Sequence, residues 1–317
     1  MTTKRSIGAL QFSSFTFLLC ALCASSPLLS ALNSSLPARP KILGISHVRI
    51  RVSDFCKARE FYSQALGQLP SCLVDKRPEG GSVALHSSQF ITLNVNSFYP
   101  SSSQNRSSLL EEVGFLTNDA AGLLQYLKSR NIPIDMDEVA SRPPSFLVHD
   151  PEGHRIEFVD RSVNQSQDPP RSPLQSRIIH AGFAVRDRAA MEHFYKDVLG
   201  FHIYWQGAMN DDQTDWVDMQ VPDGNEWIEF MLNVPPDASH KTLGVMNHIA
   251  LGVPDIHAAQ QQLIKNGWKG TEQPKIGRDG KWQLNLYDPD ETRVELMEFT
   301  PVEKPCCSEY TGPHPKP

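Results

Sequence analysis

The chain reads as an α+β protein built from four βαβββ units, two in each half. Three observations predict this. Ile45–Gly67 (ISHVRIRVSDFCKAREFYSQALG) matches Ile178–Gly200 (IIHAGFAVRDRAAMEHFYKDVLG), so the two halves repeat each other. Within each half the order strand, aspartate, helix then occurs a second time. Several strands also alternate an apolar face with a face that carries one isolated His or Glu.

Taken in order, residues 1–31 stand apart. Lys4 and Arg5 precede the apolar stretch Phe15–Leu22, which contains Cys20 and is followed closely by Cys23, and Ala24, Ser25 and Ser26 follow. Charged start, apolar middle and small-residue exit describe a secretory signal peptide, and predict an exported protein. The run is short and ends near Pro27, so a spanning helix is not expected. Leu22 before Cys23 is a poor lipobox, which argues against lipid anchoring.

A polar lead over residues 32–41 enters the first predicted domain, residues 42–161. Here Asp54 stands where a strand gives way to a helix, an N-cap position, and Gly67 stands at the helix exit. Glu112–Asp119 (EVGFLTND) opens the second unit and Asp150–Val159 (DPEGHRIEFV) closes it. Residues 162–175 are rich in Ser, Gln and Pro and read as a linker.

The second predicted domain covers residues 176–300. After Asp187, Met191, Phe194, Tyr195, Val198 and Leu199 recur at spacings of three and four, one face of a helix that Gly200 ends. Asp255 and Gly267 bracket the helix of the last unit in the same way. Residues 301–317 are a proline-rich tail without periodicity, expected to be loose.

A length of 317 residues suits two ordinary domains. Net charge is −6 with no long basic run, which argues against nucleic acid as a partner. No second membrane-spanning candidate follows the N-terminal segment, so no membrane association is expected after its removal. Cys56, Cys72, Cys306 and Cys307 remain, and four cysteines allow three pairings. Asn33, Asn105 and Asn164 begin N-x-S sequons.

The chemistry concentrates in the second half. In Arg177–Val185, His180 shares its face with Gly182 and Ala184, while Ile179, Ala181, Phe183 and Val185 form the apolar face. In Asn247–Val253, His248 shares its face with Ala250 and Gly252. Glu229 lies between Ile228 and Phe230, and Glu295 between Val294 and Leu296. The four are separated by 49, 19 and 47 residues. Imidazole and carboxylate together suit Ni, Zn, Co, Mn or Fe(II). Trp227 shares the face of Glu229, and Met297 that of Glu295, which suits an apolar or aromatic small-molecule substrate.

This arrangement resembles the vicinal oxygen chelate superfamily, which includes glyoxalase I, bleomycin-resistance proteins and extradiol dioxygenases. The resemblance spans about residues 42–300 and is carried by HIALGVPD (His248–Asp255) and YDPDETRVELME (Tyr287–Glu298). It implies paired βαβββ units curled around a cleft, with one divalent metal held by His180, Glu229, His248 and Glu295. It also implies that Glu229 or Glu295 moves a proton between adjacent carbons, as lyase or isomerase chemistry through an enolate requires.

The ring-cleaving dioxygenases supply an alternative, because His180, His248 and Glu295 form a two-His, one-carboxylate triad. Those enzymes use a further His and a Tyr in the strand before the last Asp-Pro turn. Here Gly277–Asp290 has no His, Asn285 stands about where the Tyr would be, and Tyr287 lies two positions later. A third reading is a binding protein that sequesters a small molecule. Glutathione is not expected as a substrate component, since Arg177, Arg278 and Lys281 read as solvated surface charges rather than a carboxylate-binding cluster. In the first half the matching positions are His47, Thr92, Glu112 and Glu157. Two have changed type and Arg49 is placed to pair with Glu112 or Glu157, so this half is expected to be structural. A second metal held by His47, Glu112 and Glu157 is the alternative.

Overall fold

The computed structural model describes residues 37–66, 80–86, 89–96, 109–135, 144–162, 174 and 176–317. The signal-peptide segment, the three sequons, Cys72 and nearly all of the linker lie outside these residues.

Each half builds its own mixed sheet. The first contains β1 (Ile42–Arg51), β2 (Gly80–His86), β3 (Gln89–Asn94), β4 (Leu110–Thr117), β5 (Ile134–Asp135), β6 (Ser145–His149) and β7 (Arg155–Asp160). Their spatial order is β2-β3-β1-β4-β7-β6-β5. The second contains β8 (Arg177–Ala184), β9 (His202–Gly207), β10 (Trp216–Gln220), β11 (Trp227–Met231), β12 (His248–Val253), β13 (Lys275–Ile276), β14 (Trp282–Tyr287) and β15 (Arg293–Glu298). Their order is β13-β14-β15-β12-β8-β11-β10-β9. In both, the first strand of one unit pairs antiparallel with the first strand of the next and parallel with the last strand of its own unit. Two units therefore make one curved sheet. Three of the four units show the full βαβββ order; in the first, β2 and β3 follow the helix among the described residues.

Among the described residues the α-helices are α1 (Phe55–Leu66), α2 (Ala120–Ser129), α3 (Arg188–Glu192), α4 (His240–Met246) and α5 (Ile256–Lys265). The aspartates at the strand exits cap four of them. Asp54, Asp119, Asp187 and Asp255 each accept a bond of 2.8–3.1 Å from a backbone N–H of the first turn, each worth about 1 kcal/mol. Gly200 and Gly267 take φ of +81° and +96° after the helices, where a side chain would be strained. The periodicity after Asp187 predicts one helix. It begins as α3 and continues as a π-helical segment over His193–Val198, which still buries Phe194, Tyr195 and Val198.

The apolar faces of both sheets and the inner faces of α1, α2, α3 and α5 merge in one core. That core runs from Val48 and Phe115 through Tyr62 and Tyr195 to Phe230 and Leu296. Two reciprocal bonds lock the halves together. Tyr62 of α1 donates to Asp288 at 3.3 Å, and Tyr195 donates to Asp150 at 3.3 Å. Each aspartate also accepts backbone N–H groups within its own Asp-Pro turn. The repeated FY and DP motifs are therefore the two ends of one clasp, used twice.

The opposite faces carry the polar residues. Because each sheet forms within its own half, the chain has two separate polar faces, one with His47 and one with His180 and His248.

The tail is not loose. Residues 301–317 lie along the second sheet and its loops through a series of bonds. Cys306 N donates to Arg278 O at 2.9 Å, Thr311 N to Tyr204 O at 3.0 Å, and Tyr310 OH to Asp279 O at 2.8 Å. Gln220 Nε2 reaches Pro313 O at 2.9 Å. The absence of periodicity hid this, because a strap held by backbone bonds needs no repeat. Cys306 and Cys307 form a disulfide with each other, and Cys56 is disulfide-bonded. Truncation after Thr300 exposes Tyr204, Trp205 and Lys281 and is expected to lower the melting temperature by about 4 °C or more, as a loss of 1–2 kcal/mol would. Scanning calorimetry of the truncated chain tests this.

Candidate metal centre

Four adjacent strands of the second sheet, β15, β12, β8 and β11, each contribute one polar side chain to the same face. The register explains why they meet. Ala250 lies opposite both His180 and Glu295, while Gly182 lies opposite both His248 and Glu229. The small residues expected beside the histidines are thus the cross-strand partners of the four polar residues. A Cβ at Gly182 would collide with the His248 ring. Gly182→Ala is therefore expected to displace that imidazole and weaken divalent-metal binding by about a hundredfold with the fold intact. Metal titration alongside circular dichroism checks it.

The side chains converge. His180 Nε2 and His248 Nε2 are 3.0 Å apart. Glu229 Oε2 is 3.0 Å from His248 Nε2 and 3.6 Å from His180 Nε2. Glu295 Oε2 is 3.8 and 3.7 Å from the same two nitrogens. His180, His248 and Glu295 are buried, and Glu229 is slightly more open. His248 Nδ1 donates to Met246 O at 2.9 Å. That bond places its proton on Nδ1 and leaves the Nε2 lone pair facing the cluster.

The electrostatics ask for a cation. Burial lowers the pKa of both histidines, reinforced by the nearby Arg293, so both imidazoles are neutral at pH 7. Burial pushes Glu295 up to about 7, with Arg293 opposing and Glu229 adding to the rise. Asp218 and Asp279, which share the pocket, are also raised by burial. Four carboxyl groups thus crowd together near the basic Arg293 and Lys281, while Arg278 is paired with Asp211. A divalent ion would favour their ionised forms, and neutral imidazole with carboxylate is a donor set for such an ion. The residues present fit the group.

The first half is the contrast. His47 Nε2 lies 3.2 Å from Glu112 and 3.0 Å from Glu157. Arg49 and Arg155 donate to the two oxygens of Glu112, at 3.3 and 3.1 Å, and Ser145 donates to Glu157 at 2.6 Å. Burial alone would lower the pKa of His47, but Glu112 and Glu157 outweigh it and raise it to about 9. Burial would raise Glu112, yet His47, Arg49 and Arg155 hold it well below the usual carboxylate range. His47, Glu112 and Glu157 are close enough to share an ion, but protonated His47 and two guanidiniums already occupy that role. Thr92 bonds Ser82 instead, at 3.1 Å.

A pocket of about 180 Å³ opens onto the second cluster. Trp205, Trp216, Trp227 and Met297 form its apolar wall, and His180, Glu229 and Glu295 its polar floor. Trp268 and Trp282 pack against the core instead. Of the three cations expected to be solvated surface charge, Lys281 is not, and Arg177 and Arg278 are part-buried. Lys281 is fully buried, its ammonium 4.5 Å from the Trp227 ring and 5.1 Å from that of Tyr310. Arg278 lines the pocket, and Arg177 pairs with Glu226 and donates to Lys316 O at 3.0 Å. The burial of Lys281 depends on Tyr310 of the tail, a segment that was expected to be loose. Asp218 and Arg293 were not singled out at all. The signal was available for Asp218, a lone acid between Val217 and Met219.

Comparisons with known proteins agree with this fold. Residues 177–296 match the model of the Glyoxalase/Bleomycin resistance protein/Dioxygenase superfamily. A homoprotocatechuate 2,3-dioxygenase mutant from Brevibacterium fuscum is similar in structure, with a TM-score of 0.58 and 17% identity over 83% of this chain and 73% of that chain. The native homoprotocatechuate 2,3-dioxygenase from Arthrobacter globiformis gives 0.57 and 19% over 83% and 81%. A fusion of a xylose isomerase-like TIM barrel with 4-hydroxyphenylpyruvate dioxygenase gives 0.56 and 13% over 88% of this chain and 51% of that one. At these identities the likeness is one of fold. No curated protein matches the chain by sequence.

Proposed function

We propose, on the match of residues 177–296 to the Glyoxalase/Bleomycin resistance protein/Dioxygenase superfamily model, that the protein is a metal-dependent enzyme for a small oxygenated substrate, working by proton transfer at a carbon next to a carbonyl. The observation that carries this reading is the convergence of His180, Glu229, His248 and Glu295 from four neighbouring strands. These four residues would hold one divalent ion. Such an ion supplies Lewis-acid stabilisation of negative charge on a substrate oxygen.

The chain's own groups do the rest. Glu229 has the more open side chain of the two carboxylates and lines the pocket, which suits it to take a proton from substrate carbon. Glu295, deeply buried, suits a fixed ligand or the return of the proton. The tryptophan wall excludes water from the apolar part of the substrate. Export is part of the proposal. It is supported by the N-terminal pattern of Lys4, Arg5 and Phe15–Leu22 and by the disulfide bonding of Cys56, Cys306 and Cys307. Among the described residues no helix is long and apolar enough to cross a membrane.

Elemental analysis of protein purified without chelators is the first test. About one Ni, Zn, Co or Mn per chain is expected. Hydrogen–deuterium exchange into small α-hydroxyketones, followed by NMR, then tests the chemistry. Glu229→Gln is expected to slow exchange by about a hundredfold or more. Exchange at an undiminished rate in that variant sinks Glu229 as the base.

Iron ring cleavage is the second reading, favoured by the triad of His180, His248 and Glu295. Against it stand Glu229 as a fourth donor and the half-exposed Tyr287, 39% accessible, as the nearest tyrosine on β14. Iron content with oxygen uptake on catechols would establish it. Tight binding without turnover would identify a sequestering protein.

A further inference from the structure

Arg293 stands two residues before Glu295 on β15, on the same face of the sheet. Its counterpart in the first half is Arg155, two residues before Glu157. Arg155 Nε donates to Glu112 at 3.1 Å. At the position of Glu112 the second half has His248, so the carboxylate partner is gone. Arg293 Nη2 donates instead to His248 Nε2 at 2.7 Å, and its Nε is buried with no partner. A guanidinium keeps its charge and all its donors. Leaving one of them buried and unpaired is unfavourable.

Its present acceptor is also the atom an ion would need. The Nδ1 proton of His248 goes to Met246 O, so Nε2 has one lone pair in the ring plane. That pair serves Arg293 or a metal ion, and not both. The other guanidinium of the pocket wall is already engaged, since Arg278 Nε donates to Ala208 O at 3.1 Å and its Nη2 pairs with Asp211.

We propose that Arg293 is an oxyanion clamp: when an ion holds His248 Nε2, Nη2 and Nε of Arg293 are directed together at a carboxylate that the substrate carries beside its ion-bound oxygen. The substrate class is then a small 2-oxo or 2-hydroxy carboxylate. The planar fork of arginine matches the two oxygens of a carboxylate. The pocket volume of about 180 Å³ holds only a compact molecule, and the tryptophan wall receives its apolar end. This inference rests on the metal-site reading above.

The test uses the full-length mature chain and two probes in succession. Mn²⁺ is titrated first by calorimetry, then oxalate into the Mn²⁺-loaded protein, for wild type, Arg293→Gln and Arg293→Lys. Oxalate affinity is expected to fall at least tenfold in Arg293→Gln and to recover in part in Arg293→Lys, which restores charge without the fork. Mn²⁺ affinity is expected to hold or rise in Arg293→Gln, since a competing cation has been removed. Equal oxalate affinity in wild type and Arg293→Gln overturns the clamp. A parallel loss of Mn²⁺ affinity also overturns it, by showing that Arg293 positions His248 instead. Wild type that binds no Mn²⁺ would overturn the metal reading itself, a result separable from the others because it precedes the oxalate titration.

Discussion

Replacing His248 with alanine is expected to take the divalent-metal content of the purified protein from about one ion per chain to none, with the chain still folded. No other residue of the cluster is so central. Its Nε2 lies 3.0 Å from both His180 Nε2 and Glu229 Oε2 and 3.8 Å from Glu295 Oε2. Without it, one imidazole and two carboxylates remain, and the carboxylates repel each other across the space the ring occupied. Loss of a ligand from a preformed site costs more than loss of an outer partner, for which tenfold to a hundredfold in affinity is typical. His248→Gln keeps more of the volume and separates ligand loss from cavity formation. His47→Ala is the matched control, expected to leave the metal content unchanged because His47 is a charged partner of Glu112 and Glu157. Elemental analysis with circular dichroism reads all three variants. Undiminished metal in His248→Ala would show that the ion sits elsewhere.

The largest stability effect is expected in the first half, from Glu112→Gln. Glu112 is buried and receives His47, Arg49 and Arg155. Removing its charge takes from three buried cations the carboxylate that they share. Breaking a buried ion pair costs roughly 3–5 kcal/mol. The same network makes stability depend on pH. His47 binds its proton with a pKa of about 9 in the fold against 6.5 in the unfolded chain. Because the folded value is the higher one, the contribution is fully present below pH 6.5. It fades as pH rises through about 9, a change on the order of 3 kcal/mol. Melting temperatures from pH 6 to pH 10 are expected to fall over that window in wild type and to fall less in His47→Ala. The same slope in both would show that His47 does not carry the proton.

Much of this was legible in the chain. Strand alternation placed His180, Glu229, His248 and Glu295 each on a polar face, because side-chain period is a local property. The aspartates before the helices and the glycines after them are local too; the aspartates stand where expected, as do Gly200 and Gly267, while Gly67 lies outside the described residues. The internal repeat identified matching positions in the two halves. It could therefore expose the substitutions that separate them, Thr92 for Glu229 and Glu112 for His248. Their consequence for Arg155 and Arg293 was not legible. The two arginines are equivalent in sequence, and only the presence or absence of a carboxylate across the sheet makes one satisfied and the other not.

The chain alone determined the α+β class, the unit repeat and the polar-face positions of His180, Glu229, His248 and Glu295, because each follows from spacing along a strand or helix. Tertiary structure decided the rest. It set the register that places Gly182 against the His248 ring, and the exchange of Tyr62 and Tyr195 between halves. It also buried Lys281 beneath the tail and turned Arg293 toward the cluster. These depend on which strands become neighbours and where the tail lies. Such contacts join residues far apart in the chain, and no local periodicity encodes them.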